Sequence, residues 1–319
     1  MVRANVIRDG SLVWQEVPDP IPGEHELLVK VGATGVNAAD VMQLQGGYPA
    51  PPGSPKDIPG LELAGVIVLR GPAVTRFHVG ARVMALVGGG AHAELATVDE
   101  WSAMEVPDNC SLTAAGGFPE GFITAWDALV SRGGLSAGER VLITGASGGV
   151  GTAAVQLAAT LGARVVASTR HPEHASELAG LGAAEVLEAT EAVGRGPFDL
   201  ILELVGGSHV ADALSALDTE GRVAVIGIGA GRTTELDLLT LMGKRARVFG
   251  STLRARTVWE KAGATAAVRK HVLPLLRNGK LRVPIAATFP LERAADGYDH
   301  LVKGGKFGKV VLVRGEGPN

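Results

Sequence analysis

Four glycines fall within the eight residues from Thr144 to Gly151, in the stretch TGASGGVGTAAVQLA, after which the sequence turns to alanine and leucine. A strand candidate, RVLIT, ends at Thr144, and a helical pattern with Ala153, Ala154, Leu157, Ala158 and Leu161 on one side begins near Val150. Strand, glycine turn and helix are the parts of a cradle for a pyrophosphate. A tight turn at Gly148 and Gly149 brings backbone N–H groups against the phosphate oxygens, and the positive end of the helix opening at Val150 favours their charge. Gly151 lets helix and strand pack closely. Against the pattern G-x-G-x-x-G the chain reads Ala146, Gly148, Gly151, so the first glycine is replaced. An ordinary glycine-rich turn has the same composition, but a place on the first of several βα units favours a dinucleotide.

Which dinucleotide binds is decided at the end of the next strand, where NAD sites place an acid for the ribose 2′-hydroxyl about 20 residues after the turn. Here the sequence is VVASTRHPEH, and Ser168, Thr169 and Arg170 offer two hydroxyls and a guanidinium in place of a carboxylate. That set suits a 2′-phosphate, and NADPH is the expected cofactor. The alternative is an Arg170 that only decorates a solvated loop.

The elements that must position these residues are legible as two patterns. Up to about residue 120 the chain reads as short extended runs broken by Gly and Pro, for example ELLVKVGATGV, LAGVIVLRG and GARVMALV, which predicts a β-rich lobe. From about Thr124 short apolar strands alternate with helix-length stretches: RVLIT, RVVAS, AEVLE, FDLILEL, RVAVIGI and RVFGST. This alternation predicts an α/β fold with a doubly wound parallel sheet of Rossmann type. A helical stretch, VWEKAGATAAVRKHVLPLLRNGKL, leads to a last extended segment, KFGKVVLVR, expected to return to the first lobe. The expected division is a β-rich catalytic domain from 1–122 and 258–319, with a Rossmann NADPH-binding domain inserted at 123–257.

Composition narrows the chemistry. The 319 residues are 46% hydrophobic and carry a net charge of −3 with scattered basic residues, so no nucleic-acid footprint is expected. One cysteine, Cys110, allows neither an intramolecular disulfide nor a cysteine cage for a metal, and the eight histidines show no H-x-H or H-E-x-x-H spacing. No metal is expected. Neither a signal peptide nor a membrane span is read, and a cytoplasmic protein is expected.

The segments GVNAADVMQLQGGYPAPPG, PGLELAGVIV, VGARVMALV, GFITAWDALV, GASGGVGTAAVQLA, FDLILELVGG and GKFGKVVLV together resemble the medium-chain dehydrogenase/reductase superfamily, specifically its zinc-free quinone oxidoreductase branch. The resemblance covers nearly the whole chain and implies a Rossmann domain inserted in a GroES-like β-rich catalytic domain. Zinc-dependent members carry a cysteine where this chain has Asn37 and a histidine where it has Leu61, leaving Glu62 alone. The resemblance therefore implies NADPH-dependent, zinc-independent reduction of a quinone or an activated carbon–carbon double bond. Such acceptors take a hydride through positioning and hydrogen bonds.

By the same resemblance Asn37 lies near the nicotinamide, where its amide could bond the substrate oxygen; it could equally brace a turn with Asp40. Tyr48, in a Pro/Gly-rich loop, is implied as the general acid, with loop packing against prolines as its alternative. Thr124 is implied to approach the nicotinamide end of the cofactor, or else to cap the helix AWDALVSR. Val205, Gly227 and Ile228 follow strands of the parallel sheet, where open α/β sheets bind ligands. Leu253 and Arg256 resemble positions that close over the cofactor.

Two further readings stay open: an enoyl-thioester or 2-alkenal reductase, and a non-catalytic NADPH-binding protein with a structural or regulatory role. A homodimer is implied by resemblance, with RVFGST pairing across a two-fold axis. The expected partner is a small-molecule quinone or enone, with no nucleic acid and no membrane.

Overall fold

The computed structural model describes residues 1–315. The chain divides into two compact units, the first made of Met1–Glu120 together with the segment from Leu253 onward, the second of Gly121–Thr252. Leu253 and Arg256 thus belong to the first unit.

Among the described residues, nine strands build the first unit. The amino-terminal part supplies β1 (Val2–Arg8), β2 (Ser11–Val17), β3 (Glu26–Val36), β4 (Glu62–Arg70), β5 (Arg82–Leu86), β6 (Leu95–Asp99) and β7 (Ala103–Glu105). The second unit contributes six more: β8 (Arg140–Ile143), β9 (Arg164–Thr169), β10 (Glu185–Glu188), β11 (Phe198–Glu203), β12 (Leu217–Val225) and β13 (Arg247–Gly250). The chain then returns to the first unit with β14 (Ile285–Pro290) and β15 (Lys309–Val313).

In the first unit β1 and β2 form a hairpin, while the main sheet runs β14-β15-β3-β4-β5-β7, with β6 also paired to β3. Its inward residues Leu27, Val29, Val31, Leu63, Ile67, Val83 and Ala85 are buried together. Register matters here. Val310 lies opposite Val36 across β15 and β3, so Lys309 enters the sheet beside Asn37. Ala33 opposite Ala64 across β3 and β4 likewise places Gly35 beside Glu62. The expected long helix is interrupted at Val272, between helices Val258–His271 and Leu273–Arg277. Pro274 lacks the N–H that a continuous helix needs.

The second unit's sheet runs β10-β9-β8-β11-β12-β13, all pairs parallel. This order, with β8 central and the chain working outward first to one side and then to the other, is the doubly wound arrangement. Crossover helices such as Gly149–Thr160 and His209–Ala216 bury Val155, Leu157, Val210 and Leu214. Strand β12 begins at Leu217, well before the apolar run at Arg222, because it includes three exposed residues. The sequence AWDALVSR does not start a helix of its own. Helix Pro119–Trp126 continues into wider π-helical turns over Asp127–Arg132.

Candidate active site

In the second unit the glycine turn follows β8 directly. Ala146 N–H bonds the Ser168 carbonyl at 3.0 Å, tying the turn to β9, and Gly148 takes the N-cap position of helix Gly149–Thr160. That helix has no side-chain cap and no acid in its first turn, so its first N–H groups are left for an external acceptor. A Cβ at Gly151 would stand 2.5 Å from the Gly145 carbonyl oxygen and 2.6 Å from Ala146 Cα, which makes glycine obligatory there. The close approach is therefore observed, between the helix and the turn that follows β8.

Ser168 and Thr169 end β9 and are both buried. Thr169 Oγ1 is engaged internally, donating to Ser147 Oγ at 3.4 Å and accepting from the His171 N–H at 3.1 Å. Arg170 alone of the three is exposed, and no acid among the described residues pairs with it. Thr124 lies inside helix Pro119–Trp126, so it is not a cap. Its Oγ1 is buried without a hydrogen-bond partner, which leaves a donor for a bound group. The turns after β11 and β12 are laced together by Ala230 N–H on the Val205 carbonyl at 2.8 Å, which places Val205, Gly227 and Ile228 at one end of the parallel sheet. Glu203, which the sequence reading missed, is fully buried at the end of β11 and accepts from the Val205 and Gly206 N–H groups at 2.6 and 2.9 Å. Its signal was an acid directly after the apolar run of Leu200, Ile201 and Leu202.

The first unit holds a polar centre that the sequence reading reached only in part. Glu62 is fully buried and is ion-paired with Lys309, which is 4% exposed. Lys309 Nζ also donates to Asn37 Oδ1 at 2.6 Å, and Asn37 Nδ2 donates to Glu62 Oε1 at 3.0 Å. The second carboxylate oxygen accepts from the Glu120 N–H at 2.8 Å. A Cβ on Gly35 would stand 2.1 Å from Glu62 Oε1, so the buried carboxylate dictates glycine on β3. Both ends of the Asn37 amide are thus occupied, and its backbone N–H bonds Asp40 Oδ2 at 2.8 Å. The turn with Asp40 is present, and the amide orders the ion pair.

Asp40 accepts a second N–H, from Gly60 at 3.0 Å, while burial pushes its carboxyl up against the pull of His92. Burial holds His92 below the usual imidazole range. Its Nε2 faces the Gly35 carbonyl at 3.3 Å and its Nδ1 the Tyr298 hydroxyl at 3.1 Å. A neutral ring protonated on Nε2, accepting from Tyr298, satisfies both contacts. Glu120 differs from the other acids. Burial first, and the nearby Glu62 charge second, push its carboxyl up to about 8. Burial and Glu120 together raise the Tyr48 phenol, against the pull of Arg254. Burial raises the Cys110 thiol as well, against the pull of Arg82.

These geometries agree with what the chain resembles. Residues 23–108 match the alcohol dehydrogenase GroES-like domain, and residues 149–267 match the zinc-binding dehydrogenase family. The quinone oxidoreductase of Homo sapiens is 32% identical over 93% of this chain and 92% of that protein. The chain belongs to the quinone oxidoreductase branch of the medium-chain dehydrogenase/reductase superfamily. Solved structures of the superfamily superpose over nearly the full length. A quinone oxidoreductase from Pseudomonas syringae matches with a TM-score of 0.87 at 26% identity, covering 98% of this chain and 100% of that one. An alcohol dehydrogenase superfamily protein from Novosphingobium aromaticivorans gives 0.89 at 30%, covering 99% and 100%.

As a member of this quinone oxidoreductase branch, the protein is an oxidoreductase of the nicotinamide-dependent type. The uncapped helix, the glycine at 151 and the unpartnered Thr124 hydroxyl fit a dinucleotide. The superfamily's catalytic zinc fits poorly. Such a zinc takes three nitrogen, sulfur or carboxylate ligands and keeps a fourth position open. Here Asn37 and Leu61 supply an amide and an alkyl group, and the Glu62 carboxylate is already neutralised by the Lys309 ammonium.

Proposed function

We propose that the protein catalyses NADPH-dependent, zinc-independent hydride transfer to a quinone or an activated carbon–carbon double bond. The observation that carries this reading is the closed ion pair at Glu62, which leaves the polar centre suited to acceptors that need no Lewis acid. When bound, the nicotinamide supplies a hydride at its C4. Backbone N–H groups from Gly149 to Gly151 would hold the pyrophosphate, Arg170 the 2′-phosphate, and the Thr124 hydroxyl the nicotinamide end. Val205, Gly227 and Ile228 would line the same cofactor site. Tyr48 would donate the proton that accompanies the hydride, its raised phenol remaining protonated across the working pH range. Asn37 would act by holding the ion pair in register.

The test is NADPH oxidation with 1,4-benzoquinone, 9,10-phenanthrenequinone, a 2-alkenal and crotonyl-CoA side by side, with NADH in parallel. Turnover of quinones supports the reading. Turnover of the alkenal or the thioester alone moves the activity to double-bond reduction, and none at all with tight NADPH binding points to a non-catalytic role. In the same assay Arg170→Ala should raise KM for NADPH about 10-fold, the loss of one exposed charge-assisted contact, and leave NADH unchanged. Equal effects on both cofactors would remove Arg170 from the phosphate site.

A homodimer belongs to the same proposal. Strand β13 is an edge of the parallel sheet, and the nearby Leu238, Leu239 and Met242 are 65%, 77% and 71% exposed. A second copy added along β13 would satisfy the unpaired edge and cover these side chains. Sedimentation at micromolar concentration should show a dimer; a stable monomer would contradict it. No helix among the described residues is long and apolar enough to cross a membrane. Action in the cytoplasm on a small-molecule substrate is the corresponding expectation.

A further inference from the structure

The loop carrying Tyr48 is anchored at its far end, where the Ile7 N–H bonds the Asp57 carbonyl at 2.7 Å and Arg8 pairs with the Asp57 carboxylate at 2.9 Å, but little holds the stretch around Tyr48 itself. Between Gln45 and Ile58 it forms no helix or strand, Gly46 and Gly53 have φ of +76° and +85°, and residues 45–47 and 49 are exposed. Its own hydrogen bonds are few: Gly46 and Gly47 N–H to the end of the preceding helix, and Ser54 N–H to the Pro51 carbonyl at 3.1 Å. A segment with so few internal bonds samples many conformations unless something outside it ties it down.

Arg254 supplies that tie. The side chain is 4% exposed, and each of its three nitrogens is spent on a different acceptor. Nη1 donates to the Tyr48 carbonyl at 2.7 Å, Nε to the Gly88 carbonyl at 2.9 Å and Nη2 to Gln43 Oε1 at 2.6 Å. The guanidinium carbon also lies 5.1 Å from the centre of the Tyr48 ring, within cation–π range. Gln43, itself buried, passes the connection on, because its Nε2 donates to the Lys56 carbonyl at 3.1 Å. One guanidinium and one amide therefore bind the start, the tip and the far end of the loop, and the neighbouring turn at Gly88.

No carboxylate among the described residues forms an ion pair with Arg254, although a buried cation is normally paired. Its acceptors are two carbonyls and one amide, one for each nitrogen of the planar fork, and a lysine ammonium has a single nitrogen to offer them.

We propose that Arg254 is the positioning residue for Tyr48, fixing the loop 45–57 so that the phenol is presented to the acceptor in one orientation. The proposal rests on the functional reading above, in which Tyr48 donates the proton. It adds a residue that the sequence pattern did not single out; Arg256, two positions on, was singled out instead, as a position closing over the cofactor.

Two measurements test it. The first needs no substrate. In Arg254→Met, backbone amides of 45–57 should exchange with deuterium at least 10-fold faster than in the unaltered protein, while those of β3, β4 and β8 stay unchanged. The second is kinetic. Arg254→Met should lower kcat about 100-fold, as misplacement of a reacting group does, with KM for NADPH within about 2-fold. Added to Tyr48→Phe, it should cost less than about 3-fold more, because the two act as one unit. Arg254→Lys keeps the charge and loses the fork, so it should follow the methionine variant; it also serves if the methionine variant does not fold.

Unchanged exchange in 45–57 overturns the clamp whatever the kinetics show. Faster exchange with multiplicative losses in the double variant overturns action through Tyr48. If the unaltered protein turns over no acceptor, the functional reading fails by itself, and the exchange data still decide whether Arg254 orders the loop.

Discussion

Replacing Lys309 with methionine is expected to destabilise the protein by about 3–5 kcal/mol at pH 7, the cost of leaving a buried charge without its counter-charge. Glu62 is fully buried and Lys309 nearly so, and the pair sits where β15, β3 and β4 meet. Without the ammonium, Glu62 keeps two donors, the Asn37 amide and the Glu120 N–H, and neither carries charge. Solvent cannot easily take over, because Gly35 lies against the carboxylate so closely that even a methyl group would not fit. In a protein of this size the loss corresponds to about 5–15 °C in Tm. The double change Glu62→Gln with Lys309→Met removes both charges, and it should recover more than half of that loss, since buried pairs replaced together are often nearly neutral. Thermal melting of the two variants decides the matter. A single variant within about 1 kcal/mol of the parent, or a double variant no better than the single, would show that the pair does not hold this corner of the sheet.

That corner also shows what a sequence hides. The parallel sheet was legible because β8, β9, β11 and β13 are short, mostly apolar runs alternating with helix-length stretches, although the strand order was not read. The glycine turn after β8 was legible for a related reason: only glycine tolerates the approach at Gly151, so the requirement is written in residue type. Strand β12 was read short because Asp218, Thr219 and Glu220 are exposed, and hydrophobic pattern says nothing about an exposed strand.

The polar centre was harder to read. Glu62 and Lys309 are 247 residues apart, and nothing local in either segment says that β15 and β4 flank the same strand. What could have raised suspicion was a lone acid in PGLELAG and a lone lysine opening KVVLV, each a charge in a run that must be buried. Arg254 and Arg256 illustrate the limit for loops. The segment between β13 and the helix at Val258 has no period of 2 or 3.6, so sequence alone does not tell which arginine points inward. Asn37 was expected near the nicotinamide or bracing the turn with Asp40; the partners of its amide, Glu62 and Lys309, depended on the same strand register.

The second large effect concerns Glu120 and depends on pH. Its carboxyl is raised from the ordinary range to about 8, by burial first and by the nearby charge of Glu62 second. In the unfolded chain a glutamate loses its proton near pH 4.5, whereas the folded protein keeps this one until about pH 8. Between those limits the folded state binds more protons than the unfolded state, so stability falls as pH rises. The contribution is fully present below pH 4.5 and is lost through the window up to about 8. A shift of this size sets a ceiling of about 5 kcal/mol. The side chain keeps some solvent contact although it lies deep among protein atoms, and a loss of about 2–3 kcal/mol is the reasonable expectation.

Glu120→Gln keeps the shape and the backbone N–H that holds Glu62, and it cannot ionise. The variant should therefore match the parent near pH 5 and exceed it by about 2–3 kcal/mol at pH 8.5, with the difference in Tm opening steadily between the two. Parallel melting curves across this range provide the measurement. A difference that stays constant with pH, or a glutamine variant that is less stable at pH 8.5, would mean that Glu120 ionises freely in the folded protein. The polar centre would then carry a full negative charge at Glu120 at neutral pH, and that charge would add to burial in keeping the Tyr48 phenol protonated.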